Sequence, residues 1–189
     1  MGDQSVKEAI EGSLIGARQA IDQHGVSEMA MQAIQKVLRN LASMSGLGEA
    51  ASLQELHKSG AAATVLASEG TEGITLVYAR FPPEQPTPIH DHGSWGVAHV
   101  LSGRDRYIHW KRLDDGSDPR QARLEVDYDR ILEAGDSVYW FDPPHDIHSQ
   151  QGHNGETAWE LVMFGHDPMQ VDRHYFDVDS GEVITAAPQ

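Results

Sequence analysis

From about residue 60 onward the chain is a succession of short β-prone runs, each closed by a turn, with no helical periodicity between them. The runs are Ile74–Arg80, Pro88–His92, Val97–Ser102, Tyr107–Leu113, Ala122–Val126, Ser137–Phe141, Ile147–Gln150 and Ala158–Phe164. Between them stand Pro82-Pro83, Ser102-Gly103, Asp114-Asp115-Gly116, Ala134-Gly135-Asp136, Pro143-Pro144 and Asn154-Gly155, residues that set the dihedrals of tight turns. Parallel strands would need long helical crossovers, and none fits in these gaps. The pattern predicts an antiparallel barrel or double-sheet jelly roll.

The first third reads differently. Ser5 and Glu8 form a capping box, and Val6, Ile10, Leu14, Ala17 and Ile21 then recur at helical spacing until Gly25. A second helix follows Ser27, with Met31, Ile34, Leu38 and Leu41 on one face, ending near Ser45-Gly46. A third, Ser52–Lys58, opens with the capping pair Ser52 and Glu55. The chain of 189 residues has no linker long enough to divide it, so the expectation is one domain. Within it, residues 1–60 form a helical region and 61–189 the β-barrel.

Composition narrows the function classes. The net charge of −15 with no basic face argues against nucleic acid as a partner. No apolar run approaches the roughly 20 residues of a membrane helix. The first residues lack the basic and apolar regions of a secretory signal, and Val6 breaks the myristoylation pattern, so a cytoplasmic protein with no membrane partner is expected. The absence of Cys excludes disulfides, thiolate ligands and cysteine nucleophiles. Eleven His are a surplus to explain.

Part of that surplus is patterned. In Pro88-Ile89-His90-Asp91-His92-Gly93-Ser94-Trp95-Gly96, residues two apart on a strand share a face, so His90 and His92 project together and Asp91 projects away. In Pro143-Pro144-His145-Asp146-Ile147-His148, a proline turn delivers a histidine to the start of a strand. His148 is the candidate third ligand, with His145 in reserve. Three neutral imidazoles suit a divalent first-row metal, whether Fe, Mn, Ni, Cu or Zn, and leave its positive charge unneutralised. Such a centre favours anionic ligands, above all a thiolate.

These two segments resemble the two motifs of the cupin superfamily. His90, His92 and Gly103 match the first, with Gly96 near the place of its usual Glu; Pro143 and His148 match the second, with His145 where Gly is usual. The stretch Leu76–Gly103, above all Thr87–Val97, is similar to the bacterial cysteine dioxygenase-type thiol dioxygenases, most of all the 3-mercaptopropionate dioxygenase group. The similarity covers about residues 65–180. Those enzymes carry a Ser-x-His-x-Tyr triad where this chain has Glu160, Val162 and Phe164, so the hydroxyl and imidazole of that network are missing. Nine residues after Phe164, Arg173 falls where the mercaptopropionate enzymes carry an Arg for the substrate carboxylate.

The resemblance implies a cupin fold binding one Fe(2+) through His90, His92 and His148, with no catalytic side chain beyond the metal centre. It implies a small organic thiol and O2 as partners and a sulfinic acid as product. Arg173 is then the carboxylate clamp, against the alternative of a surface Arg paired to Asp172 or Asp177. Glu160 reads a cationic substrate group or faces outward. Trp95 lines the pocket mouth or packs in the core, Val162 and Phe164 line the substrate side, and Tyr139 replaces the lost hydroxyl or belongs to the core. His24, His57, His109, His153 and His174 read as surface, His99 as a core or supporting residue, and His166 is unassigned. The competing functions are another metal-dependent cupin enzyme (a carbon-substrate dioxygenase, isomerase or hydrolase) and a non-catalytic cupin that binds a metal or ligand.

Overall fold

Two helices lead the chain in a computed structural model that describes residues 2–48 and 62–188. They are α1 (Gly2–His24) and α2 (Glu28–Ala42). Helix α1 begins three residues before Ser5, so the expected capping box lies inside the first turns. Gln4 Nε2 donates to Glu8 Oε1 at 3.0 Å across one turn, a contact that favours continuing the helix through Ser5. At its end Gly25 takes φ +63 and its N–H closes on Ile21 O at 2.7 Å, the left-handed cap that glycine adopts without strain. Ser27 caps α2, its hydroxyl accepting from Ala30 N. The expected third helix, Ser52–Lys58, lies outside the described residues.

Eleven strands follow: β1 (Ala63–Ser68), β2 (Thr75–Phe81), β3 (Ile89–His90), β4 (Gly96–Ser102), β5 (Arg104–Arg112), β6 (Leu124–Glu133), β7 (Ser137–Trp140), β8 (His148–Gly152), β9 (Ala158–Phe164), β10 (Arg173–Phe176) and β11 (Val183–Ala186). One sheet has the order β1-β2-β9-β4-β7 and the other β11-β10-β3-β8-β5-β6. Among the described residues the result is a sandwich of two antiparallel sheets with two N-terminal helices, the double-sheet form expected. Three strands, β1, β10 and β11, fall outside the expected runs. The run expected over Ala122–Val126 is instead a ten-residue strand reaching Glu133, paired with β5. Its mostly exposed, charged residues give no alternation from which a strand can be read.

The helices cover the outer face of the five-stranded sheet. Met31, Ile34, Leu38 and Leu41 of α2 are buried with Val6, Ile10 and Leu14 of α1 against Leu76, Tyr78, Val97, Leu161 and Met163. Each such side chain contributes about 1.5–3 kcal/mol on burial. The alternate residues, Val77, Ala79, Ala98, Val100, Val138, Trp140, Val162 and Phe164, point into the barrel. Strands β2, β4 and β9 are therefore buried on both faces, and their inner face looks across the interior to the six-stranded sheet that carries His90 and His148.

Candidate metal centre

His90 ends the two-residue strand β3, where it pairs with His148 at the start of β8; His92 follows two residues later. All three are buried, and their ligand atoms lie within 4.8 Å of one another. His90 Nε2 is 3.1 Å from His92 Nε2, which is 3.3 Å from His148 Nε2. Nitrogens about 2.1 Å from a common ion stand roughly 3.0 to 3.4 Å apart for angles between octahedral and tetrahedral. Both separations fall in that window.

The backbone dictates which nitrogens face inward. His90 Nδ1 lies 2.9 Å from Pro88 O, and His148 Nδ1 lies 3.0 Å from Asp146 O. A carbonyl oxygen can only accept, so each Nδ1 carries the hydrogen and each Nε2 turns a lone pair inward. Convergent lone pairs repel one another and fit a cation. Burial drives all three imidazoles toward the neutral form: His90 falls to about 4, and His92 and His148 fall well below the ordinary value. The nearby Arg173 guanidinium pushes each of them further in that direction.

Asp146 ties the two ligand segments together. Its Oδ2 accepts from His92 N at 3.0 Å and from Gly93 N at 2.8 Å, while its own carbonyl orients His148. Burial, with Asp91 nearby, pushes its carboxyl up to about 7. Asp91 turns away from the histidines, as expected, and accepts from both His174 N and His174 Nδ1, at 2.8 and 2.7 Å. His174 is exposed, as expected, and at the same time anchors the ligand loop. His109 is likewise held, between Asp127 Oδ2 and His145 O. His145, the reserve ligand, is exposed and outside the group.

Trp140 closes the inner wall. Its ring lies 5.7 Å from His92, near-parallel to it, and 4.7 Å from His148, and its Nε1 donates to Ser94 O at 3.0 Å. The indole takes the space of a side chain at Gly96: a Cβ there would stand 2.1 Å from Trp140 Cζ2. At Gly96, therefore, a ring occupies the room that a longer side chain would need. Phe164 completes the wall, 4.7 Å from the His92 ring.

The other expected site residues divide. Arg173 is largely buried; its Nη2 donates to Pro168 O at 3.0 Å, and it forms no ion pair with Asp172 or Asp177. Val162 points inward one step along β9 from Phe164. Glu160 also points inward and is fully buried, correcting the outward-facing reading. Gln150 Nε2 donates to Glu160 Oε2 at 3.1 Å and to Asp105 Oδ2 at 3.0 Å. Burial raises both carboxyls, Asp105 to about 7 and Glu160 well above its usual range, and the neighbouring Asp105 pushes Glu160 higher still. Both shifts favour the protonated form of the pair.

Two expected pocket residues belong elsewhere. Tyr139 lies on the opposite face of β7 from Trp140, packed on the helical cluster near Glu28, and replaces no hydroxyl at the metal centre. Trp95 belongs to that same cluster, its indole lying against Gly165, and does not line the pocket mouth. His99, also on the helix side, is a satisfied core residue, 2.8 Å from Ser137 Oγ. A cavity of about 620 Å³, lined by residues including Asp114, Asp115, Asp118 and Asp179, contains none of the three histidines.

No protein-family profile and no curated protein matches this chain. Solved structures do resemble it. An oxalate oxidase is 20% identical over 56% of this chain and 51% of its own, with a TM-score of 0.42. The DMSP lyase DddQ from Ruegeria pomeroyi is 17% identical over 59% of this chain and 49% of its own, with a TM-score of 0.41. An RmlC-like cupin from Ralstonia eutropha is 15% identical over 66% of this chain and 65% of its own, with a TM-score of 0.43. The chain thus spans about half the length of the oxalate oxidase and the lyase.

Trp140, Asp146 and the two partners of Glu160, Asp105 and Gln150, are the site features that sequence reasoning missed. A signal for Asp146 existed: it lies two residues before His148, as His90 lies two before His92. For Trp140 the signal was Gly96, a residue with no side chain where the motif expects a large one.

Proposed function

We propose that this chain is a ferrous-iron dioxygenase that oxidises a small, carboxylate-bearing organic thiol to its sulfinic acid. The observation that carries the reading is the convergence of three buried Nε2 atoms with no carboxylate ligand among them. The similarity of residues 76–103 to the thiol dioxygenases supports it. Iron(II) held by His90, His92 and His148 would hold the substrate sulfur as thiolate and activate dioxygen. The overall reaction balances without a co-reactant: RSH and O2 give RSO2H, the sulfur losing four electrons and dioxygen gaining them.

The protein's own part is binding, orientation and exclusion of water. Arg173 offers a planar fork to the substrate carboxylate and sits within electrostatic reach of all three ligands. Trp140 and Phe164 wall the centre with carbon. Asp146 and the carbonyl of Pro88 fix the ring orientations. Val162 and Phe164 carry no proton, so proton transfer does not use β9 near the metal.

The test is oxygen uptake by the ferrous protein with cysteine, cysteamine, 3-mercaptopropionate, mercaptosuccinate and a thioimidazole, with the sulfinate identified by mass. Thiol-dependent uptake with sulfinate formed in equal amount is the expected result. Bound iron with no uptake for any thiol would overturn it. The second reading, a metal-dependent enzyme of a carbon substrate, is favoured by the phenyl of Phe164 facing His92, where the thiol enzymes carry a tyrosine hydroxyl.

A further inference from the structure

Two nitrogens without a hydrogen-bond partner flank the turn from β9 into β10, one on the connecting loop and one on the first residue of β10. His166 Nε2 and Arg173 Nε are both shielded from solvent and unbonded. The loop itself is well anchored. Asp167 N donates to Thr71 O at 2.9 Å, and the Asp167 carboxylate accepts from Met169 N and from Gln170 Nε2. Arg173 is braced on Pro168 O at 3.0 Å. The anchoring places His166 against the ligand segment: a Cβ at Gly93 would stand 3.3 Å from His166 Cε1. Arg173 opens β10, which runs beside the ligand strand β3, with Tyr175 paired to His90.

No nearby carboxylate accepts from His166 Nε2 or Arg173 Nε. Asp91 is taken by His174, Asp167 by its own loop, and Asp146 accepts from His92 N and Gly93 N through Oδ2, its Oδ1 left open. Buried donors are normally paired, and those left open in a fixed loop mark the place of a ligand acceptor. Here the ligand has to bring the acceptor, and a guanidinium beside it asks for an anion.

We propose that His166 is a specificity-determining residue that works with Arg173 as a two-point anion subsite beside the three histidines. His166 Nε2–H takes one oxygen of the substrate's carboxylate and the Arg173 guanidinium takes the other. The assignment rests on the reading of the substrate as a carboxylate-bearing thiol. It explains why the segment leading into β10 returns to the metal centre, and why position 93 has no side chain: one there would press on the imidazole.

The test is calorimetric binding of 3-mercaptopropionate and of its uncharged amide to the zinc-loaded protein, in which no turnover occurs. Wild type is expected to prefer the acid by at least about tenfold. His166→Ala should remove about tenfold of that preference by weakening the acid alone, with zinc content and amide affinity unchanged. His166→Gln, whose amide can donate, should restore most of the preference. The assignment is overturned if wild type does not distinguish acid from amide, or if His166→Ala weakens both alike, weakens neither or releases zinc. Failure of His166→Gln to restore acid binding overturns it as well. Acid-selective binding without thiol-dependent oxygen uptake would sink the dioxygenase reading and leave the subsite standing. Uptake together with unchanged acid preference in His166→Ala would do the reverse.

Discussion

The barrel interior holds two clusters of like ionisable groups: the imidazoles of His90, His92 and His148, and the carboxyls of Asp105 and Glu160. Both lie on β-strands that face the same interior, with Gln150 two residues beyond His148 on β8 belonging to the second cluster. Burial acts on both in the same way, by disfavouring charge. The chemical outcome is opposite. An imidazole becomes neutral by losing a proton and so presents a lone pair; a carboxyl becomes neutral by gaining one and so presents a donor. The first cluster is therefore a seat for a metal cation, and the second a seat for a proton. Low dielectric alone does not make a metal site; the sign of the buried group decides.

The largest expected effect breaks the first cluster. His148→Ala should reduce bound metal, by elemental analysis after gel filtration, to below about a tenth of wild type, since it removes one of three ligands. His145→Ala should leave metal content unchanged. Next comes the aromatic wall beside the first cluster. Gly96→Ala should destabilise by about 1–3 kcal/mol in chemical denaturation, because its methyl meets the Trp140 ring. The double variant Gly96→Ala/Trp140→Leu should recover part of that loss, and simple additivity of the two would refute the contact.

The second cluster yields a pH dependence. A carboxyl raised by folding contributes its full stability below its unfolded value near pH 4, loses it as pH rises toward the folded value, about 7 for Asp105, and changes little above that. Glu160→Gln removes one acid and keeps the shape. The stability difference between wild type and Glu160→Gln should shift in favour of the variant by about 1–3 kcal/mol between pH 4 and pH 8. A difference independent of pH would show that the pair does not hold a proton. The smallest effect belongs to the brace on the ligands: Asp146→Asn should lower metal affinity by about tenfold, with the fold intact by circular dichroism.

How much of this was readable in the sequence follows from locality. His90, His92 and His148 sit in two short segments whose spacing and proline turn carry their own geometry, and the helix faces of α2 follow from period alone. Strand parity was harder. A strand buried on both sides shows no alternation, so Ala158–Phe164 left the direction of Glu160 open, and only pairing with both β2 and β4 fixes it inward. The same ambiguity in Ser137–Trp140 drew the tyrosine toward the site, when the tryptophan beside it is the residue that touches His92. Contacts between segments far apart in the chain, such as Gly96 with Trp140 or Asp91 with His174, have no local trace.

Among the described residues the helices cover only one of the two sheets, which has a consequence for how the molecule breathes. Amides of β2, β4 and β9 are sandwiched between α1, α2 and the barrel interior, so their exchange with solvent deuterium requires near-global opening. His90 and His148 instead belong to the six-stranded sheet, where β3 contributes two residues and the outer strands β6 and β11 are edges. Trp140 and Phe164, from the protected sheet, form a rigid backstop, while two of the three ligands ride on backbone that opens at lower cost. Local fraying of the six-stranded sheet would expose the three histidines while the helix-covered sheet keeps the fold.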